Sequence, residues 1–327
     1  MGTRDDQQVM LQAARLYYED SHTQEQIARA LKTSRPQVSR LLQQARREGI
    51  VQIKIIDPNA THSALESQLL STFNLAEAIV IATEGNAHDV TRRRIGQAAA
   101  RYLERTLQNG DVVGIGWGRT LYETVSALDP TLRLHSGQAR QARITVVPLI
   151  GGLGQIAPVF QVHELARTLA DAFGGTWQNF YVPALVESDN MASSLLHSVD
   201  VKQVAARWQN LDVAVVCIGN VAFEADIQML FVNYINADME ARLRGSKAVG
   251  DICVRFFDAQ GKPCPDAIRG VVGIELKQLK RARRVVGIAG GASKAEAILC
   301  ALRGRYVNVL VTDEAAARRV LEIAGTT

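Results

Sequence analysis

The sequence predicts an α/β protein in two parts. An N-terminal helix-turn-helix, winged-helix-like domain covers residues 1–56, and a larger Rossmann-like α/β domain covers 76–327. Residues 57–75 form a linker with an amphipathic helix. Three observations predict this division. Residues 23–49 read as two short helices around a tight turn. From Ala78 onward, apolar runs alternate with helical stretches, the pattern of a buried and largely parallel sheet with helices on both faces. Asp57-Pro58-Asn59 interrupts both patterns. The length of 327 residues suffices for two domains, and 47% hydrophobic with 21% charged residues is a globular composition. No apolar run approaches the roughly 18 residues of a membrane span. The start, MGTRDDQQ, lacks the apolar core of a signal peptide, so a cytoplasmic location and no membrane partner are expected.

The first helix is expected over 5–19, with Val9, Ala13, Leu16 and Tyr17 facing inward. Thr23 caps the next helix, and Gln26 completes a capping box. Ile27, Ala30 and Leu31 share one face, and Lys32-Thr33-Ser34 forms the break. Ser34 is a natural N-cap for the third helix, and Pro36 falls in its first turn, where a missing N–H costs nothing. Val38, Leu41, Leu42 and Ala45 give that helix a buried stripe. Arg35, Gln37, Ser39, Arg40, Gln43 and Gln44 are left outward or on the flanks. A helix that offers Arg, Gln and Ser from its N-terminal half suits the base edges of a major groove. Ser34, Arg35, Gln37, Val38, Ser39 and Arg40 are the candidate contacts to double-stranded DNA, Val38 being counted in the stripe as well. Charge agrees: residues 1–56 carry nine Lys or Arg against six Asp or Glu, and the remainder carries 28 against 27. The alternating run Ile50–Ile56 reads as the wing. Leu65, Leu69, Leu70 and Phe73 then make a helix that packs on the larger domain or on a second copy.

In the larger part, strands are expected at Ala78–Ala82, Val112–Ile115, Ile144–Ile150, Val213–Ile218, Val285–Ala289 and Val307–Val311, with a long helix around 89–107. Ligands of such folds lie beyond the carboxyl ends of the strands. Three glycine-bearing loops are expected there: Gly114-Ile115-Gly116-Trp117-Gly118-Arg119-Thr120, Gly151-Gly152-Leu153-Gly154-Gln155 and Gly290-Gly291-Ala292-Ser293-Lys294. Glycines bring backbone N–H groups close to a ligand, and a helix start favours anions. Together the three loops predict a single crevice. Asp251–Asp258 alternates like a strand, and Asp251 either accepts from sugar hydroxyls or caps a turn. The glycine spacing is not that of a dinucleotide site, and Lys294 does not fit GxxxxGK. His163-Glu164 lacks the second histidine of a zinc helix, and no G-x-S-x-G elbow occurs. Cys217, Cys253, Cys264 and Cys300 contain no CxxC and read as reduced core residues. No metal or other cofactor is expected.

Six motifs in order carry a resemblance over nearly the whole chain. They are TQEQIARALKTSRPQVSRLLQQARREG at 23–49, GIGWGRTL at 114–121, PLIGGLG at 148–154, GDICVRFFDAQG at 250–261, AGGASKAEAI at 289–298 and NVLVTDEAAA at 308–317. In these the chain resembles the SorC/DeoR-type family of bacterial sugar-responsive transcriptional regulators. The resemblance implies an effector domain similar in fold to sugar-phosphate isomerase and CoA-transferase-like proteins, sensing its ligand rather than converting it. It implies a dimer or tetramer that binds operator DNA through the N-terminal domain. It places Gly116, Trp117, Gly118, Arg119 and Thr120 in a first ligand loop, with Asp251, Gly290, Gly291 and Lys294 across from it and Gln161 facing the ligand. The effector implied is a sugar, polyol or sugar phosphate. Ile150 stands where some relatives that bind phosphorylated sugars carry arginine before GGLG. The rival expectation is an isomerase-like enzyme with an accessory DNA-binding domain, in which Lys and Asp transfer protons.

Overall fold

The structure, a computed structural model, describes residues 4–20, 22–48, 50–51, 62–82, 88–128, 142–154, 158–221 and 237–325. Its contacts divide the chain into two compact units, Met1–Asp57 and Pro58–Thr327. Among the described residues, no helix is long and apolar enough to cross a membrane.

The first unit contains α1 (Arg4–Tyr18), α2 (Gln24–Ala30) and α3 (Arg35–Arg47). Thr23 Oγ1 accepts from the Gln26 N–H at 3.3 Å, and Gln26 Oε1 accepts from the Thr23 N–H at 2.8 Å, which starts α2 with the reciprocal cap. Lys32 takes φ 50° in the turn, and Ser34 Oγ accepts from the Gln37 N–H at 3.3 Å to start α3. Met10, Ala13 and Ala14 of α1 meet Ile27 and Ala28 of α2 and Val38, Leu42 and Ala45 of α3 in one core. Two inward faces differ from expectation. Met10 is buried while Val9 is 41% exposed, and Ala28 replaces Ala30. Neighbouring apolar residues fit a helical period equally well, so only the packing partner selects between them. Of the expected wing, residues 52–56 lie outside the described residues, as does Asp57-Pro58-Asn59.

The second unit is built on a parallel seven-stranded sheet of order β1-β10-β9-β5-β2-β3-β4. The strands are β1 (Glu77–Ile81), β2 (Val112–Ile115), β3 (Thr145–Pro148), β4 (Thr176–Trp177), β5 (Val213–Cys217), β9 (Arg284–Ile288) and β10 (Val309–Asp313). Alternate residues feed opposite faces: Val213 and Val215 point into one apolar layer, Ala214 and Val216 into the other. The first layer is completed by α5 (His88–Thr106), α6 (Arg119–Ser126) and α7 (Val162–Ala172). The other takes α4 (Ser63–Phe73), α12 (Ala295–Arg303) and α13 (Glu314–Gly325). Helix α4 buries Leu65 and Leu69 in this layer, so residues 63–73 are part of the larger unit's core. The remaining helices are α8 (Asp189–His197), α9 (Val199–Arg207), α10 (Ala237–Gly245) and α11 (Leu276–Leu279).

A second sheet joins β6 (Gly219–Asn220), β7 (Ala248–Ile252) and β8 (Arg255–Asp258), all antiparallel. The run 251–258 is therefore not one strand, as its alternation predicted. It folds back at Cys253 and Val254, with φ of 51° and 61°. Two positive φ values suit a two-residue hairpin turn, but glycine or asparagine normally supplies them. A buried cysteine and valine give no such signal in the sequence.

Candidate functional site

On the first unit, α3 leaves Arg35, Gln37 and Arg40 exposed and Ser39 half-buried. The Ser34 hydroxyl is engaged by the Gln37 backbone. Val38 corrects the expected contact set: it has no exposed surface and packs in the unit's core, so it cannot meet DNA. Arg46 donates from Nε to the Tyr18 hydroxyl at 2.8 Å and lies 5.8 Å from that ring's centre, which ties the end of α3 to α1.

On the second unit a crevice of about 150 Å³ opens at the carboxyl ends of β2, β5 and β9. That is many times the ~10–15 Å³ needed for one water. The chain runs outward from β2 through β3 to β4, then returns to place β5 on the other side of β2. The crevice thus sits at the switch in strand order, where doubly wound sheets bind ligands.

Five segments form its walls, beginning with Trp117–Thr120 after β2, where Gly118 has φ +140° and a Cβ on it would lie 2.8 Å from Cys217 Sγ. The segment Ile218–Asn220 follows β5, and Ala289–Gly291 with Lys294 follows β9. The turn of the β7–β8 hairpin supplies Asp251, Cys253 and Val254. The start of α5 adds His88, Thr91 and Arg92. A Cβ on Gly219 would lie 1.9 Å from Asp251 Oδ1, so glycine there is what lets the carboxylate reach the crevice.

Lys294 Nζ donates to Asn220 Oδ1 at 2.9 Å, and Asn220 Nδ2 donates to the Ser293 carbonyl at 3.1 Å. Asp251 Oδ2 accepts from the Val254 N–H at 3.0 Å. Burial pushes the Asp251 carboxyl up to about 6, against the opposing pull of the Val254 N–H and the Lys294 charge. Burial also pushes the Cys217 thiol up to about 11 and raises Cys253, so both remain neutral thiols at pH 7. Asp313, itself raised by burial, accepts from the Gly291 N–H at 2.9 Å and from the Ala316 N–H at 2.8 Å, which fixes the glycine pair. The site offers hydroxyl, carboxylate, amide and cationic groups on polar walls, with Trp117 and Phe256 as apolar faces.

The structure brings Trp117, Gly118, Arg119, Thr120, Asp251, Gly290, Gly291 and Lys294 together around this crevice. Gly116 is buried behind them, its N–H donating to the Val215 carbonyl at 3.0 Å. Gln161 does not join them. Its Nε2 donates to the Leu153 and Gly154 carbonyls at 3.0 and 3.2 Å, and its Oε1 accepts from the Leu153 N–H at 3.2 Å. The GGLG loop it clasps is a packing turn: a Cβ on Gly151 would lie 2.5 Å from the Val182 and Pro183 carbonyl oxygens. Two of the three glycine loops therefore make the crevice. Asn220, Asp313 and the α5 residues were not singled out from sequence. Asn220 closely follows an apolar strand, a position that marks it in hindsight, whereas His88 and Arg92 carry no such cue.

Residues 57–322 match the family described as "Putative sugar-binding domain". The deoxyribonucleoside regulator of Bacillus subtilis (strain 168) is 34% identical over 326 residues, covering 97% of this chain and 98% of that protein. The sorbitol operon regulator of Klebsiella pneumoniae is 34% identical over 326 residues, covering 98% of this chain and all (100%) of that protein. The chain belongs to the SorC/DeoR-type family of bacterial sugar-responsive transcriptional regulators. The crystal structure of the full-length sorbitol operon regulator SorC from Klebsiella pneumoniae agrees, with a TM-score of 0.73 at 32% identity over 98% of this chain and 100% of that one. In this SorC/DeoR-type chain the matched domain contains every wall of the crevice and excludes α1 to α3.

Proposed function

We propose that the chain is a cytoplasmic DNA-binding transcriptional regulator whose operator affinity is set by a carbohydrate in the crevice. The observation that carries the reading is the crevice itself. Aromatic, carboxylate, amide and lysine groups converge at the strand-order switch of a domain matched to sugar-binding relatives. Carbohydrate recognition needs that mixture, because each hydroxyl requires a polar partner while the ring carbons pack on apolar surface. The effector class is a sugar, polyol or sugar phosphate. Relatives named for sorbitol and for deoxyribonucleosides support that class.

The first unit serves as a helix-turn-helix. Arg35, Gln37, Ser39 and Arg40 are presented to the major groove of operator DNA, and Arg47 reaches phosphates. A homodimer or tetramer pairs two such helices across operator half-sites. Regulation then requires the effector to bind two arrangements of the oligomer unequally.

The test uses the full chain and fluorescently labelled duplexes from its own upstream region, titrated with and without sorbitol, sorbitol 6-phosphate and 2-deoxyribose 5-phosphate. The reading expects one duplex to be preferred over scrambled DNA and one carbohydrate to change that affinity. Equal binding to all duplexes, unaffected by any sugar, would overturn it. A carboxyl near 6 beside a lysine also suits acid–base chemistry. Conversion of an aldose phosphate to its ketose by the pure chain would favour the isomerase-like alternative.

A further inference from the structure

We propose that the Cys253–Val254 turn is a strained relay, carrying occupancy of the crevice through Arg255 to a groove on the far side of the β7–β8 hairpin. This rests on the proposed sugar-responsive function and goes beyond it by naming the element that reports the ligand.

The turn is held against its own preference. Cys253 and Val254 take φ of 51° and 61°, and Ile252 pairs with Arg255 across them, so these two residues alone close the hairpin. For a β-branched residue such as valine a positive φ is a true outlier, and it persists only where its surroundings over-determine it. Two clamps do so. On the crevice side, Asp251 Oδ2 accepts from the Val254 N–H at 3.0 Å. On the other side, Arg255 Nε donates to the Ile274 carbonyl at 3.2 Å, and its Nη2 donates to the Val271 and Gly273 carbonyls at 3.2 Å each. Glu275 completes the clasp, its Oε1 lying 2.8 Å from the same Nη2.

The crevice-side clamp is also the group that a carbohydrate would use. Asp251 lines the crevice, and a sugar hydroxyl donating to its carboxylate competes with the Val254 N–H. Loosening that bond lets Cys253 and Val254 leave positive φ, and Arg255 follows as the next residue. The hairpin has room to move. Val254 and Phe256 line the crevice and also a groove of about 470 Å³, whose other walls include Ala192 and Leu196 of α8. The segment that Arg255 clasps is shared in turn: the Val272 N–H donates to the Ala184 carbonyl at 2.8 Å, and the Ile274 N–H to the Leu149 carbonyl at 2.7 Å. A shift of the turn thus reaches the chain after β3 and the chain leading to α8. Coupling requires an element with two arrangements that both sites bias, and a turn strained in one of them supplies it.

The first experiment uses the full chain without ligand. Val254→Gly is expected to melt higher than Val254→Ala although it removes one more carbon, because only glycine relieves positive φ; without strain the order reverses. Alanine melting as high as glycine overturns the proposal. Hydrogen exchange then follows the relay. Asp251→Ala should speed exchange at Val254, Val272 and Ile274 by about tenfold, with Leu165 of α7 unchanged. Exchange at Val272 and Ile274 within about twofold of wild type overturns it. If Asp251→Ala does not fold, unchanged exchange in Asp251→Asn overturns it instead.

The second experiment measures operator binding and melting with sorbitol, sorbitol 6-phosphate and 2-deoxyribose 5-phosphate. Arg255 is a positioning residue outside the crevice. Arg255→Lys should therefore keep the melting shift caused by the active carbohydrate and lose at least about fivefold of the operator response. Should that variant not fold, Glu275→Gln weakens the same clasp from its exposed end and should act in the same direction. A full operator response in the folded variant overturns the relay and leaves the regulator reading intact. If no carbohydrate moves operator affinity in wild type, the regulator reading falls, and hydrogen exchange still decides the turn.

Discussion

Lys294 Nζ and Asn220 Oδ1 lie 2.9 Å apart, and that bond joins the segments that follow two neighbouring strands, β5 and β9. Asn220 is 8% exposed and also holds the Ser293 carbonyl, so the amide fixes both the lysine and the loop that bears it. Asn220→Ala should therefore leave the sheet intact and lower carbohydrate affinity by about 1.5–3 kcal/mol, the usual worth of a hydrogen bond to a charged group. Isothermal titration with the carbohydrate that moves operator affinity checks this. Equal affinity in the variant would remove Lys294 from the binding role given to it.

Gly219→Ala tests whether the Asp251 carboxylate must stand where it does. The added methyl would meet Asp251 Oδ1 at 1.9 Å, so the carboxylate has to leave or the β6–β7 pair has to open. The expected outcome is loss of about 1–3 kcal/mol of stability, with the effector response lost before the fold. Gly325→Ala, where an added Cβ meets nothing within 4 Å, is the control and should change neither readout. Melting temperature and operator release are the two measurements.

The acidity of Asp251 predicts a pH dependence. A carboxyl raised from 3.8 to about 6 keeps its proton in the folded chain where the unfolded chain has lost it. Its contribution to stability is thus fullest below about 3.8, declines as pH rises to about 6 and is a constant penalty above that. A sugar hydroxyl donating to Asp251 prefers the ionised form. Affinity for a neutral carbohydrate should accordingly rise with pH up to about 6 and then level off, with a proton released on binding below that point. Calorimetry in buffers of different ionisation enthalpy measures the proton, and Asp251→Asn should abolish both effects. An identical pH profile in Asp251→Asn would show that another group titrates.

On α3, two adjacent substitutions should separate recognition from folding. Gln37→Ala should cost about 1–3 kcal/mol on the preferred operator and relax one base position, with little change on random duplex. Val38→Ala, at a position with no exposed surface, should lower stability and weaken all duplexes together. Operator variants scanned base by base distinguish the two. A uniform loss for Gln37→Ala would remove it from base reading.

Much of the fold was legible because its signals are local. Capping by Thr23 and Ser34 depends on a side chain and an N–H three residues away, and both caps form. Six of the seven strands of the main sheet announce themselves as apolar runs, since strands buried on both faces need no polar alternation. The seventh, Thr176–Trp177, is a two-residue edge strand too short to leave a pattern. The hairpin at Cys253–Val254 was hidden for a different reason. Its turn conformation is imposed by surrounding contacts, including the Asp251 carboxylate on the Val254 N–H, rather than by residues that favour it.

For the crevice, sequence alone determined which chemical groups are available: glycine loops at strand ends, Arg119, Asp251 and Lys294. It also determined that a polar, cationic helix follows Ser34. Tertiary structure decided which of these meet. Strand order set β5 between β2 and β9, which brought the first and third glycine loops together and left the GGLG loop to pack against Val182 and Pro183. It turned Gln161 onto that loop and Val38 into a core, and it set Arg92 in the crevice wall. The reason is physical: a residue's chemistry travels with the chain, whereas its neighbours across a sheet are fixed only when buried surfaces are paired.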